Sequence, residues 1–312
     1  NSASMGLVAA GRLKPVELRA LNREATRLSQ TLSKECVIQR NGSRLGEWEA
    51  RLQVSPLGDG VALVIAQDLS ESRRLNEVRR DFVANVSHKL KTPVGALSLL
   101  AEAIQAADND VAQVRKFAER MQLEVHRLTD LVADLVELSR VQGETHLKTS
   151  RPVAVRDIVA EAVDSMKLAA QQKDIVVSVA DTAAVGSVFG DEKQLTMALR
   201  NLVSNAINYS PPNTRIGVGV RQVDGMVEIS VSDQGSGIPE ADQERIFERF
   251  YRVDPARSRE TGGTGLGLAI VKHVCANHGG ECTLWSRPGE GSTFTLHLPA
   301  YLNTVDLGAS AK

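Results

Sequence analysis

Apolar residues first recur at helical spacing: Leu18, Leu21, Ala25 and Leu28 mark a helix between Pro15 and Leu32. The period then shortens. Trp48–Val54 and Val61–Ala66 read as strands, and Pro56 with Gly58-Asp59-Gly60 between them predicts a hairpin. From Glu71 to Ala106 the helical period returns. Leu75, Val78, Phe82, Val86, Leu90, Val94, Leu97, Leu100 and Ile104 fall three or four residues apart. Ala107-Asp108-Asn109-Asp110 interrupts the pattern, and a second helix runs to about Val141. Its stripe of Val114, Ala118, Met121, Val125, Leu128, Val132 and Leu135 is nearly heptad. Two such helices with a short loop form an antiparallel hairpin. One hairpin cannot bury both stripes. The pattern therefore predicts a homodimer in which two hairpins close a four-helix bundle.

Gly143–Pro152 reads as a linker. Beyond it strands and helices mix. Helices are expected over Val155–Gln172, over Glu192–Asn208 and after Gly267. Strands are expected at Ile175–Val179, Arg215–Val223, Met226–Asp233, Glu281–Arg287 and Ser292–Pro299. A mixed sheet covered by helices follows, an α/β sandwich. The chain is thus multidomain: an α+β piece at 1–70, the helical hairpin at 71–142, the sandwich at 150–302 and a tail at 303–312. There is no internal repeat.

A length of 312 residues leaves room for such an arrangement. With 42% apolar residues it has enough material for real cores. A net charge of -1 and 4% aromatics argue against a nucleic-acid partner. Cys36, Cys275 and Cys282 lack C-x-x-C spacing, which predicts small buried thiols in a reducing compartment. No apolar run is long enough to span a membrane. The chain starts at Asn1 without a leader pattern, which suggests a fragment.

Two glycine-rich loops carry candidate chemistry. Asp233-Gln234-Gly235-Ser236-Gly237 follows a strand, and Gly262-Gly263-Thr264-Gly265-Leu266-Gly267 precedes a helix. Glycine permits close backbone approach, and the amides of a helix start hold anions. Asn201 and Asn205 share one helix face, where two amide oxygens suit a hard cation such as Mg²⁺. Either asparagine alone would read as a surface residue. Neither a Walker nor a Rossmann spacing is present. The combination instead resembles the ATP-binding domain of histidine kinases and their gyrase and MutL relatives. By that resemblance Asp233 would bond the adenine amino group, Tyr209 would flank the base, and Gly235 and Gly237 would shape its pocket. Asn205, assisted by Asn201, would hold Mg²⁺; Gly263, Thr264, Gly265, Leu266 and Gly267 would form the phosphate lid. Arg245–Phe250 resembles the aromatic box beside that lid. Asn208 departs from the family, which often has Lys or Arg there.

Phe82-Val-Ala-Asn-Val-Ser-His88-Lys-Leu-Lys-Thr-Pro93 resembles the phosphoacceptor box of class I sensor histidine kinases. On a helical wheel His88 lies roughly 150° from the apolar stripe and so faces solvent, where a nucleophile must be. Pro93 sits inside the helical pattern, where proline costs about 3 kcal/mol and kinks a helix. A plain surface histidine would not explain it; for His126 that reading is preferred. The resemblance implies phosphorylation of His88 by ATP and transfer to an aspartate on a response regulator receiver domain. Thr92 matches the residue that positions water for the reverse reaction. Lys89 breaks the pattern, because the family places Asp or Glu there to take the ring proton. An ammonium has no acceptor, and its charge disfavours imidazolium, so impaired autophosphorylation is expected.

The N-terminal hairpin and its Asp68-Leu69-Ser70 exit resemble the C-terminal half of a PAS sensor domain, with Cys36 and Trp48 as packing residues. His273 and His278 have the wrong spacing for a helical zinc pair and read as surface or capping residues. The His88 region looks most like actinobacterial kinases of the phosphate-responsive class. The resemblance places the chain on the cytoplasmic side of an inner membrane, anchored through a segment outside this sequence. Two rivals remain: a non-kinase ATPase of the same fold, and a non-catalytic or phosphatase-biased ATP-binding signalling module.

Overall fold

The computed structural model describes residues 8–9, 12–13, 15–39, 47–59, 61–107, 110–143, 150–182, 185–254 and 263–301. Gly262, the middle of the expected linker and the tail at 303–312 lie outside the described residues. The chain divides into two compact units, Asn1–His88 and Lys89–Lys312.

In the first unit β1 (Val8–Ala9) and β2 (Arg12–Leu13) form a short antiparallel pair. Helix α1 (Val16–Leu28) carries Glu17 in its first turn and Arg27 in its last, which complements the helix dipole. Three antiparallel strands follow, β3 (Leu32–Gln39), β4 (Glu47–Gly58) and β5 (Val61–Asp68), in spatial order β3-β4-β5. Leu18, Leu21 and Ala25 of α1 pack on Trp48, Ala50, Leu52 and Val54, the alternate residues of β4. Cys36 packs against the same core. The helix stops earlier than its sequence pattern predicted, because Ser29 turns to φ 52°. Strand β3 was not anticipated. Lys34 pairs with the inward-facing Leu52, and this charge breaks the apolar alternation.

Helix α2 (Ser70–Ala106) starts where Leu69 N–H donates to the Glu49 carbonyl, at 2.8 Å. Arg73 bridges Glu35 and Glu49 at 2.7 Å each. The helix runs uninterrupted through Pro93.

In the second unit α3 (Val111–Gly143) is capped by Asp110, which accepts from Gln113 N at 3.0 Å. With the last part of α2 it makes the helical hairpin. Val94, Leu99, Leu123, Val125, Val132 and Val136 remain exposed on these helices, while Leu131, Leu138 and Val141 are buried. After β6 (Arg151–Ala154) come α4 (Val155–Gln172), β7 (Val176–Val179), β8 (Ser187–Gly190) and α5 (Glu192–Tyr209). Then β9 (Arg215–Val223), β10 (Met226–Ser232), the short α6 (Glu240–Gln243), α7 (Gly267–Asn277), β11 (Glu281–Arg287) and β12 (Gly291–Tyr301) complete the order.

The sheet runs β6-β8-β12-β10-β9-β7, with β11 also paired to β12. All pairs are antiparallel except β7 with β9. Val227, Ile229 and Val231 of β10 and Phe294, Leu296 and Leu298 of β12 turn inward under α4, α5 and α7, which makes the α/β sandwich. The expected linker overlaps β6, whose Pro152 sits on the sheet edge, where a missing N–H is tolerated. Strands β6 and β8 escaped the sequence pattern because Pro152 reads as linker and Ser187–Gly190 offers only Val188 and Phe189, whereas the equally short β7 carries three valines.

Candidate functional site

Helix α5 brings the first site residues. Asp191 caps it, accepting from Lys193 N at 2.9 Å and Gln194 N at 3.1 Å. Leu195, Leu199, Leu202, Val203 and Ala206 bury its inner face, so Asn201 and Asn205 fall together on its margin. The helix ends at Ser210, and Pro211-Pro212 cannot continue it.

Asp233 arrives at the end of β10. Its N–H donates to the Ser292 carbonyl at 2.8 Å, and its Oδ1 accepts from Gly235 N at 2.8 Å and Ser292 N at 3.2 Å. Burial raises the carboxyl's pKa, and these two N–H donors pull against it. Gly237 makes the next turn with φ +68°, and a Cβ there would fall 1.9 Å from the Arg287 carbonyl oxygen. The Gly289 N–H donates to Ser236 O at 2.8 Å and ties this turn to the β11–β12 hairpin.

These pieces enclose a cavity of about 670 Å³. Asn205, Tyr209, Asp233, Gly235 and Gly237 all line it. Ile246, Leu268 and Phe294 supply apolar wall, with Phe247 packed edge-on to Phe294. Tyr251 lines it too, its hydroxyl donating to Asp242 Oδ1 at 2.5 Å and Arg245 lying 4.2 Å over its ring. Asn208, the departure noted above, is also on the lining.

Asn201 and the second glycine loop lie outside that lining. Asn201 Nδ2 donates to Met197 O at 3.0 Å. Gly267 opens α7 beside it, where a Cβ would stand 2.8 Å from Asn201 Oδ1. Gly265, at φ +78°, offers its carbonyl to Phe250 N at 2.8 Å. Arg252 donates to the Gly263 carbonyl. Thr264 donates to Asp134 of α3 and accepts from Leu266 N at 3.2 Å. Burial is the main reason the Asp134 carboxyl is pushed up. Further contacts join α3 to the sandwich: Asn277 Nδ2 donates to Val141 O at 2.8 Å, and Gln142 meets His273 at 3.2 Å.

His88, Lys89 and Thr92 are exposed on α2. Of the two readings of His278, surface or capping, the structure bears out capping: it is the C-cap residue of α7. It is buried, its Nδ1 bonded to Val274 O at 2.7 Å and its Nε2 accepting from Asp191 N at 3.0 Å. Sequence reasoning also missed Ser292 and Tyr251. Ser292 was recoverable only from register, since it is the second residue of β12 and lies beside the end of β10.

Residues 190–302 match the family described as histidine kinase-, DNA gyrase B-, and HSP90-like ATPase. Residues 78–144 match the His Kinase A (phospho-acceptor) domain. The chain belongs to the class I sensor histidine kinases. It is 56% identical over 241 residues to the sensor-like histidine kinase SenX3 of Mycolicibacterium smegmatis, covering 77% of this chain and 62% of that protein. The phosphate regulon sensor protein PhoR of Pseudomonas aeruginosa is 35% identical over 253 residues, 79% of this chain and 56% of that protein. The chain therefore spans about three-fifths of the curated relatives it matches. The crystal structure of histidine kinase ThkA in complex with response regulator protein TrrA shares the fold, with a TM-score of 0.56 at 18% identity over 91% of this chain and 83% of that one.

Proposed function

We propose that this chain is the ATP-dependent core of a homodimeric sensor kinase that phosphorylates His88 and passes the phosphoryl group to an aspartate of a response regulator. The observation that carries this reading is the convergence of Asn205, Asp233 and the Gly235–Gly237 turn on one cavity, in a chain that also holds the histidine box. The 78–144 match disfavours a non-kinase ATPase.

ATP would enter with its base at Asp233, between Tyr209 and the apolar wall. The lid of Gly263, Thr264, Gly265, Leu266 and Gly267 would close on the phosphates. Asn205 presents a neutral amide to the cavity, a hard oxygen donor that fits Mg²⁺; Asn201, with its Nδ2 committed to Met197, has an acceptor oxygen to assist. Bound there, Mg²⁺ would offset the charge of the phosphates. His88 then acts as nucleophile in the neutral form. One ring nitrogen forms the N–P bond to the γ-phosphorus, in line, as ADP leaves with the electrons of the broken P–O bond. The other ring nitrogen must lose its proton to a base. Lys89 offers none, and loss of general-base assistance costs about 10²- to 10⁴-fold. Thr92, one turn on, would position water for dephosphorylation.

The exposed apolar residues of α2 and α3 support dimerisation through a four-helix bundle. The helix-on-sheet packing of 15–68, and Asp68 capping the start of α2 by accepting from Ser70 N at 2.9 Å, support a PAS-like piece at 1–70. The hairpin at 71–142 and the ATP-binding domain at 150–302 complete the division. Among the described residues no helix is long and apolar enough to cross a membrane, and the reading assigns a membrane anchor to a segment outside this sequence. Lys89 favours a second reading, a non-catalytic or phosphatase-biased module.

The test is labelling with radioactive ATP and Mg²⁺ of the chain, Lys89→Glu and His88→Ala, with ATP binding measured in each. Strong labelling of Lys89→Glu, little of the chain and none of His88→Ala supports the proposal. Equal labelling of chain and Lys89→Glu refutes the account of the missing base. Binding without labelling in all three supports the second reading.

A further inference from the structure

Behind Asp233 lies a small network of hydroxyls that no motif announced. Ser286 of β11 and Ser292 of β12 face each other directly across the strand pair. Both are buried, at 9% and 5% exposure. Ser286 Oγ makes three bonds: it meets Ile238 N at 2.8 Å, Gly291 O at 3.0 Å and Ser292 Oγ at 2.9 Å. Ser292 lines the cavity, and its own N–H holds the Asp233 carboxylate.

A hydroxyl has one proton to give and two lone pairs to receive with. The Ile238 N–H can only donate, so it takes one lone pair of Ser286. The Gly291 carbonyl can only accept, so it takes the one proton. The bond to Ser292 is then filled only if the Ser292 hydroxyl donates to Ser286. Buried polar groups are almost always satisfied, and this is the single arrangement that satisfies all three bonds. The Ser292 proton is therefore committed away from the cavity. Its oxygen has only lone pairs left to offer there, beside the carboxylate of Asp233.

We infer that Ser286 is a positioning residue for base selectivity: by fixing the direction of the Ser292 hydroxyl it keeps the Asp233 end of the cavity acceptor-only, which favours a 6-amino purine over a 6-oxo purine. This rests on the reading that a nucleotide base occupies that cavity. A 6-amino group donates to such a wall. A 6-oxo group points lone pairs at lone pairs. A Ser292 hydroxyl released from Ser286 could turn and donate to the 6-oxo group, which would relax the discrimination. Ser286 touches no ligand in this scheme and acts through Ser292.

The test compares binding of Mg-ATP and Mg-ITP by titration calorimetry on the whole chain, Ser286→Ala, Ser292→Ala, Ser286→Thr and the double alanine variant, with far-UV circular dichroism as a check on folding. The chain binds ATP more tightly than ITP. Ser286→Ala lowers that ratio by about 3- to 10-fold, as expected for one misdirected hydrogen bond. Ser286→Thr restores it, and in the Ser292→Ala background Ser286→Ala leaves it unchanged. If Ser286→Ala weakens both nucleotides by the same factor, the role is structural only and the inference falls. An equal affinity of the chain for ATP and ITP overturns it while leaving nucleotide binding intact. Failure of the chain to bind either overturns the cavity reading and this inference with it. Should Ser286→Ala lose its fold, Ser286→Cys, whose thiol is a weaker partner for the Ser292 hydroxyl, gives the same readout: an unchanged ATP-to-ITP ratio there overturns the proposal.

Discussion

Gly237→Ala isolates what the close turn beside Asp233 demands of its backbone. Two separate costs add. Gly237 has φ +68°, and holding alanine in that left-handed region costs about 1–2 kcal/mol. The new Cβ would also lie 1.9 Å from the Arg287 carbonyl oxygen and 2.9 Å from Pro288 Cα. Both are backbone atoms, so no side chain can swing aside. The turn cannot simply lift either, because Ser236 O is bonded to Gly289 N at 2.8 Å. Overpacking of this kind adds about 1–3 kcal/mol. Gly225 provides the control: its φ is +76°, with nothing within 4 Å of its would-be Cβ. Gly225→Ala should therefore show the strain alone, about 1–2 kcal/mol, and Gly237→Ala about 2–5 kcal/mol. In a domain of this size each kcal/mol moves Tm by about 2–4 °C. Thermal denaturation of both variants, with ATP titration of each at a temperature where it is folded, reads the difference. ATP affinity should fall in Gly237→Ala alone, since that turn lines the cavity and Gly225 does not. If the two variants lose the same stability, the steric argument is wrong.

Leu138→Ala, on α3, removes a completely buried side chain and should cost about 2–5 kcal/mol by guanidinium unfolding; a loss under about 1 kcal/mol would mean that the site collapses freely. Burial holds His278 below its ordinary pKa of 6.5, so the folded chain favours the neutral ring. Its contribution is complete above about pH 6.5 and is lost as pH falls from there through the depressed folded value. Urea midpoints at pH 7.5 and 5.5 should therefore separate less in His278→Gln than in the parent chain, and an unchanged separation would contradict the assignment. His273 is depressed in the same direction, chiefly by burial, so the separation should shrink without vanishing.

Long elements were legible in the sequence because their periods had room to repeat. Helix α4 spans the expected Val155–Gln172, β9 the expected Arg215–Val223, and β10 the expected Met226–Asp233 to within one residue. Of the short strands the valine-rich β7 was legible, and β6 and β8 were not. In β8 only Val188 and Gly190 are buried, and Phe189 between them is exposed. The site divided along similar lines. Asp233, Asn205 and the Gly235–Gly237 turn stood out only in combination, since each alone has an ordinary structural reading. Tyr251, Phe294 and Ser292 come from separate stretches and meet only once the sheet register is set. His278 caps α7 as expected, but its burial and its bond from the Asp191 N–H were not legible, because a backbone partner leaves no trace in sequence.

The hydrogen bond from Thr264 to Asp134 fastens the second glycine loop to the helical hairpin, and Leu138 and Val141 are buried on the same helix. Thermodynamic reciprocity follows from that one fastening. If seating a nucleotide's phosphates required Thr264 to leave Asp134, binding would loosen the hairpin from the sandwich. Any force that parted the two would then tighten nucleotide binding by an equal factor. A torsion of the helices by a distant stimulus and a rise in nucleotide concentration would be interchangeable inputs to the same equilibrium.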